Sequence, residues 1–225
     1  MAGPAPRLVR LLALTSALVG VLLVVRIGVL LARDDPGAAP DFGSVPTRTE
    51  SPPAASPPAA SPPADGPAGS PRRGVPAEPA DVSVPRLRLS APVYRVGVAE
   101  DGQVEVPEDP GRVGWYRFSP APGAPAGSSV LVGHVDATGR GLGVLAALAD
   151  VREGDRVVVG RRDGTAVSYR VTARRTVAKD ALAGSGVFRR DGAPVLTLVT
   201  CAGPYVRDQG GYQNNLVVTA VEVAR

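Results

Sequence analysis

Val195-Leu196-Thr197-Leu198-Val199-Thr200-Cys201 is the stretch on which the reading of this chain turns. Its apolar and β-branched residues mark a short strand that ends on the only cysteine of the protein. The only histidine, His134, ends a similar run, Val130-Leu131-Val132-Gly133-His134. The two tips are 201 − 134 = 67 residues apart, and two strands of one sheet would bring them together. A thiol beside an imidazole is the minimum set for thiolate nucleophilic catalysis.

The composition narrows the setting. The chain has 225 residues with 24 Pro and 27 Gly, too many for one compact domain, so part of it reads as linker. The net charge of +4 is scattered, with no run of five or more Lys/Arg, and aromatics are only 4%. Both observations argue against a nucleic-acid surface; a basic exterior suits anionic cell-surface polymer. A single cysteine excludes an intramolecular disulfide and leaves a free thiol.

Outward from the two tips, the N-terminal part reads in three pieces. Residues 1–10 are short and basic, with Arg7 and Arg10, and are expected to be cytoplasmic. Residues 11–32 are apolar except for Thr15, Ser16 and Arg26, close to the roughly 20 residues a helix needs to cross a membrane. They read as an uncleaved signal-anchor, N-terminus inside and the remainder extracellular; a cleaved signal peptide is the rival. Residues 33–80 are rich in Pro, Ala and Ser and repeat Ser-Pro-Pro-Ala-Ala from Ser51. This is an extended, disordered linker, able to lift the next domain away from the bilayer.

The folded part spans residues 81–225. Short β-rich runs follow one another: Val82–Val84, Leu87–Leu89, Val93–Val98, Gln103–Val106, Ser129–His134, Arg156–Val159, Thr165–Ala173, Val195–Cys201 and Leu216–Val223. Asp163-Gly164 is a hairpin signal between two of them. The one helical patch is Leu142–Leu148. Many strands at short spacing predict an all-β barrel or sandwich.

Cys201 is followed by Ala202-Gly203-Pro204, so its thiol should open onto a loop; the plain alternative is a buried core cysteine. His134 is the candidate acid–base partner, and Asp136, two residues on, is a candidate to orient its ring. Arg207, six residues after the cysteine, is the arginine best placed to face an oxyanion. No serine-hydrolase, zinc-protease, C-x-x-C, Walker or Rossmann fingerprint is present.

With these residues in view, the chain resembles the sortases, the cysteine transpeptidases of Gram-positive cell walls. Thr197-Leu-Val-Thr-Cys201 matches the family's T-L-x-T-C signature, with His134 upstream at a strand end. Glu105–Pro110, Val113–Tyr116, Gly133–Asp136, Gly154–Arg156 and Gly211-Tyr212 ahead of Asn215–Val218 look most like class F sortases of actinobacteria. The resemblance covers about Val82 to Arg225 and implies a closed barrel of about eight strands with one or two short helices. It implies cleavage of an LPxTG-like signal through a thioacyl enzyme on Cys201, with His134 protonating the leaving amine. The implied partners are surface proteins with C-terminal sorting signals and an amine of the peptidoglycan precursor. Thr200 and Asp136 fall on the substrate side. No cofactor is implied, and no carboxylate cluster has calcium-ligand spacing.

The family's third residue is an arginine on or just before the last strand. Tyr212-Gln213-Asn214-Asn215 has none; Gln213 stands there, and Arg207 is the nearest substitute. Two other functions compete: a cysteine endopeptidase ending in water, and a barrel that only binds wall polymer. An L,D-transpeptidase is a weaker fit, because its S-x-G-C-type segment with a following arginine is absent.

Overall fold

Eight of the ten strands in the computed structural model, which describes residues 40–44 and 76–223, close into one barrel. In chain order they are β1 (Pro79–Val84), β2 (Leu89–Val96), β3 (Val113–Tyr116), β4 (Ser128–Val132), β5 (Asp136–Ala137), β6 (Gly141–Leu142), β7 (Arg156–Arg161), β8 (Ala166–Ala178), β9 (Val195–Val206) and β10 (Gly211–Glu222). The barrel order is β1-β2-β3-β4-β9-β10-β8-β7, with β5 and β6 forming a separate small hairpin. The all-β barrel of eight strands is therefore the expected one. Most neighbours are antiparallel, but β2–β3 and β4–β9 are parallel. Parallel neighbours need long crossovers, and the 62 residues between Val132 and Val195 supply one.

Alternation along β9 sorts two apolar layers. Leu196 and Leu198 pack inward with Val84, Val113, Leu131 and Val218. Val199 belongs to an outer layer with Val130, Val132, Val187 and Val217, against which Leu182 and Phe188 of the β8–β9 connection rest. Both faces of β9 are thus covered, and every residue from Val195 to Thr200 is buried. That explains a run of apolar residues broken only by β-branched threonines, where a half-solvated strand would alternate.

Three expectations need correction. Cys201 does not end its strand: β9 runs on to Val206, paired with β10. The barrel neighbours stop instead, β4 at Val132 opposite Val199 and β8 at Ala178 opposite Asn214. Gln103–Val106 forms only a single bridge, Val98 with Val104. The helical patch is a 3-10 helix, Val144–Asp150, held by buried Leu145 and Leu148. The Asp163-Gly164 hairpin is as read: Gly164 has φ +78, and Asp163 Oδ1 accepts from the Thr165 amide at 3.0 Å.

The span read at residues 11–32 lies outside the described residues; among those described, no helix is long and apolar enough to cross a membrane. Of the linker, residues 40–44 are described and lie against the barrel. Phe42 bridges Arg174 on β8, whose guanidinium sits 5.3 Å from the Phe42 ring centroid and donates to the Pro40 carbonyl at 2.5 Å. Asp41 accepts from the Thr176 amide. One phenylalanine in a polar tract found a buried arginine to cover.

Gly154-Asp155-Arg156 has a structural explanation. Asp155 is buried beside β7, where it accepts both Arg86 nitrogens, Nε at 2.5 Å and Nη2 at 2.6 Å, and the Arg152 amide at 2.8 Å. The Arg86 hydrogen bonds, outweighing burial, hold its carboxyl below the usual value. A lowered folded pKa adds stability above the unfolded value and loses it as pH falls. Asp155→Asn is expected to lower the thermal midpoint by roughly 5 °C at pH 7. The gap to the natural protein should close as pH falls below about 4; melts followed by circular dichroism at pH 7 and pH 3 check both.

Candidate active site

The parallel register of β4 and β9 brings the two tips together. Each pair from Ser128–Val195 to Val132–Val199 is offset by 67 residues, the separation of His134 and Cys201. The Gly133 amide extends the match by donating to the Val199 carbonyl at 3.2 Å. His134 and Cys201 therefore leave the same barrel rim, and both line one hollow of about 630 Å³.

Two glycines let the histidine sit there. A Cβ on Gly133 would lie 2.9 Å from Leu145 Cδ1, so the 3-10 helix packs where a side chain would project. A Cβ on Gly143 would lie 2.2 Å from the His134 carbonyl oxygen. The ring is oriented by the Pro107 carbonyl, 2.9 Å from Nε2. A carbonyl only accepts, so Nε2 carries hydrogen and Nδ1 is the lone-pair nitrogen of the neutral ring.

Asp136 is engaged elsewhere. Its Oδ2 accepts from the Tyr212 hydroxyl at 2.6 Å, and that bond, with burial, pushes the phenol up to about 12. Tyr205 stacks edge-on against Tyr212 at 5.0 Å, making an aromatic wall beside the hollow. The ring-orienting role read for Asp136 belongs geometrically to the Pro107 carbonyl.

Cys201 is half-buried and also opens onto a second cavity of about 660 Å³, between the outer barrel face and the β8–β9 connection. Val104, Val106, Tyr116, Leu182 and Phe188 give it an apolar lining. Thr200 is also in its wall; its Oγ1 is buried and has no hydrogen-bond partner among the described residues. Burial raises the Cys201 thiol above its usual pKa; Lys179 pulls it down and Asp136 pushes it up.

The two oxyanion candidates are not brought to the thiol. Arg207 lies exposed in the turn Arg207–Gln209 and lines neither hollow. Gln213, at an irregularity in the β9–β10 register, spends its Nε2 on the Gly211 carbonyl at 2.6 Å and the Gln209 carbonyl at 3.2 Å. Three site residues were missed by sequence reasoning: Pro107, Tyr212 and Lys179. Lys179 had a usable signal, since it is the only lysine in the chain. Among the described residues, no group of His, Cys, Asp and Glu is arranged to hold a metal ion.

Two consequences are measurable. Gly143→Ala should push against the His134 backbone, cost about 1–3 kcal/mol, and move the imidazole resonance, which is unique because the chain has one histidine. Asp136→Asn removes a charge that holds the thiol protonated. Alkylation of Cys201 by iodoacetamide at pH 8 should accelerate roughly threefold, with the whole profile displaced to lower pH.

Comparison with known proteins agrees with this architecture. No curated protein matches the chain. Sortase C-1 from Actinomyces oris superimposes with a TM-score of 0.50 at 23% identity, over 64% of this chain and 71% of that one. A lid mutant of sortase A from Corynebacterium diphtheriae gives 0.51 at 23%, over 69% and 75%. Sortase C1 from Streptococcus agalactiae gives 0.50 at 24%, over 65% and 67%. At such identities the likeness speaks for the fold. The family rests on sequence: the Sortase domain model matches residues 82–223, from β1 through the end of β10. The chain belongs to the sortase family.

Proposed function

We propose that this sortase is a membrane-anchored transpeptidase that cleaves an LPxTG-like sorting signal and joins the protein to a cell-wall amine. The observation that carries the reading is the position of Cys201 between two hollows. The apolar one suits an extended peptide with a leucine and a proline. The other, holding His134, suits an incoming amine. A hydrolase needs no such second binding space.

In the first step the Cys201 thiolate attacks the threonine carbonyl carbon. The carbon–sulfur bond forms, the carbon–nitrogen bond breaks, and His134 in its protonated form gives a proton to the departing amine. In the second step the acceptor amine attacks the thioester. Neutral His134 takes its proton, and the thiolate leaves with its electron pair. Thr200, in the cavity wall beside the nucleophile, meets the substrate backbone. Asp136 fixes the Tyr205–Tyr212 wall on the acceptor side. Residues 1–10 lie inside the cell and 11–32 anchor the chain; with residues 40–44 held on the barrel, the stretch between residues 32 and 40 sets how far an extracellular catalytic domain stands from the membrane. Within the family, Glu105–Pro110 and Val113–Tyr116 support class F.

The full chain in detergent micelles, given an LPxTG-type peptide with and without triglycine, tests this by mass spectrometry. A thioacyl adduct on Cys201 and a triglycine-dependent ligated product are expected. Cys201→Ala should form neither, and His134→Ala should lose about 10²–10⁴-fold in turnover. Hydrolysis unaffected by triglycine would turn the reading to an endopeptidase. An inert thiol and no product would leave a wall-binding barrel.

A further inference from the structure

Of the 25 basic residues in this chain, 24 are arginine and one is lysine. That lysine, Lys179, lines both hollows that meet at Cys201. The chain's sole cysteine, sole histidine and sole lysine thus surround one site. We propose that Lys179 is the charge partner of the Cys201 thiolate and of the oxyanion formed beside it, the task assigned in its relatives to an arginine this chain lacks.

The sheet puts it there. Val177 on β8 pairs with Asn215 on β10, and Asn215 pairs with Cys201 on β9. Residues in one such row share a face, and Val177 packs in the outer apolar layer, as does Val199 two residues before Cys201. Lys179 is two residues beyond Val177, past an Ala178 that keeps an extended conformation with φ −58 and ψ 145. The period of two returns its side chain to the face that carries the thiol. Among the described residues its ammonium makes no hydrogen bond or ion pair, so its charge is uncommitted.

The surrounding charges leave it little competition. Arg140 also lines the hollow with His134, but its Nη1 donates to the Glu108 carbonyl at 3.1 Å. Asp136, Glu108 and Asp180 are the nearby acids, and Asp136 opposes the thiolate. Lys179 is the cation that lowers the thiol's pKa against its burial. It transfers no proton: it screens the anion on sulfur, then the oxygen of the tetrahedral adduct. A lysine ammonium suits this duty, being a compact charge on a flexible stem that can follow the anion from sulfur to oxygen.

The mechanism rests on the transpeptidase reading, but its first test does not. Cys201 is the only thiol, so its alkylation by iodoacetamide in the full micellar chain can be followed against pH without any substrate. Lys179→Met should displace the profile upward by about half to one pH unit and slow alkylation at pH 8 by three- to tenfold. Lys179→Arg, which keeps the charge, should restore it. Peptide turnover should fall on the order of 100-fold in Lys179→Met and recover to within tenfold in Lys179→Arg. A Lys179→Met profile that superimposes on the natural one, with circular dichroism unchanged, overturns the proposal. Equal displacement in both variants also overturns it, since the effect would then be structural and not electrostatic. A lysine-dependent profile in a chain that forms no thioacyl adduct would uphold the charge pair and reject the transpeptidase instead.

Discussion

The parallel pairing of β4 with β9 is the constraint on which the site depends. Antiparallel neighbours would carry the two chain segments to opposite ends of the barrel. Parallel ones in register carry them to the same end. With Val132 opposite Val199, His134 and Cys201 emerge level, each two residues past the last pair. A slip of one residue would turn the Cys201 side chain to the inner layer, where Leu198 and Leu196 lie. Register is held because both faces of β9 are apolar and differently filled, Leu inward and Val outward. Core packing and the alignment of His134 with Cys201 are one property of this strand.

Beyond Val199 the strand loses its β4 neighbour, and the burial changes at once. Val195 through Thr200 are buried, and Cys201 through Gly203 are half-buried. The thiol is placed at this edge while its backbone remains anchored to β10 through Asn215. Rigid support and access are thereby combined. The same geometry imposes an electrostatic cost: partial burial raises the thiol's pKa, and Asp136 adds to the rise. A buried anion needs a nearby cation, which is why the identity of that cation matters more here than at an exposed thiol.

Much of this was legible in the chain. The runs ending on His134 and Cys201 betrayed the two strands, and turn chemistry at Asp163-Gly164 located the β7–β8 hairpin. What could not be read came from tertiary partners. Nothing local distinguishes β4–β9 as a parallel pair, and the continuation of β9 to Val206 depends on β10 reaching past the barrel. Pro107 orients the imidazole through its backbone carbonyl, which side-chain identity does not report. Asp136, close to His134 in sequence, was captured by a tyrosine 76 residues away. Phe42 in the linker found the buried Arg174 across more than a hundred residues.

Arg207 and Lys179 show the same limit from the other side. Distance along the chain favoured Arg207, six residues from the cysteine, over Lys179, twenty-two residues before it. In space, the turn Arg207–Gln209 lies beyond the end of the β9–β10 pair and carries its arginine outward. The row Val177–Asn215–Cys201 crosses three strands and brings the lysine back. In a barrel, lateral rows rank neighbours better than sequence distance does, because strands lie only about 4.8 Å apart while six residues of strand span roughly 20 Å. The single lysine of the chain stands two residues past the β8 end of that row and lines the same hollows as the thiol; in the proposed role, this lateral position supplies the charge that an arginine on β10 would otherwise carry.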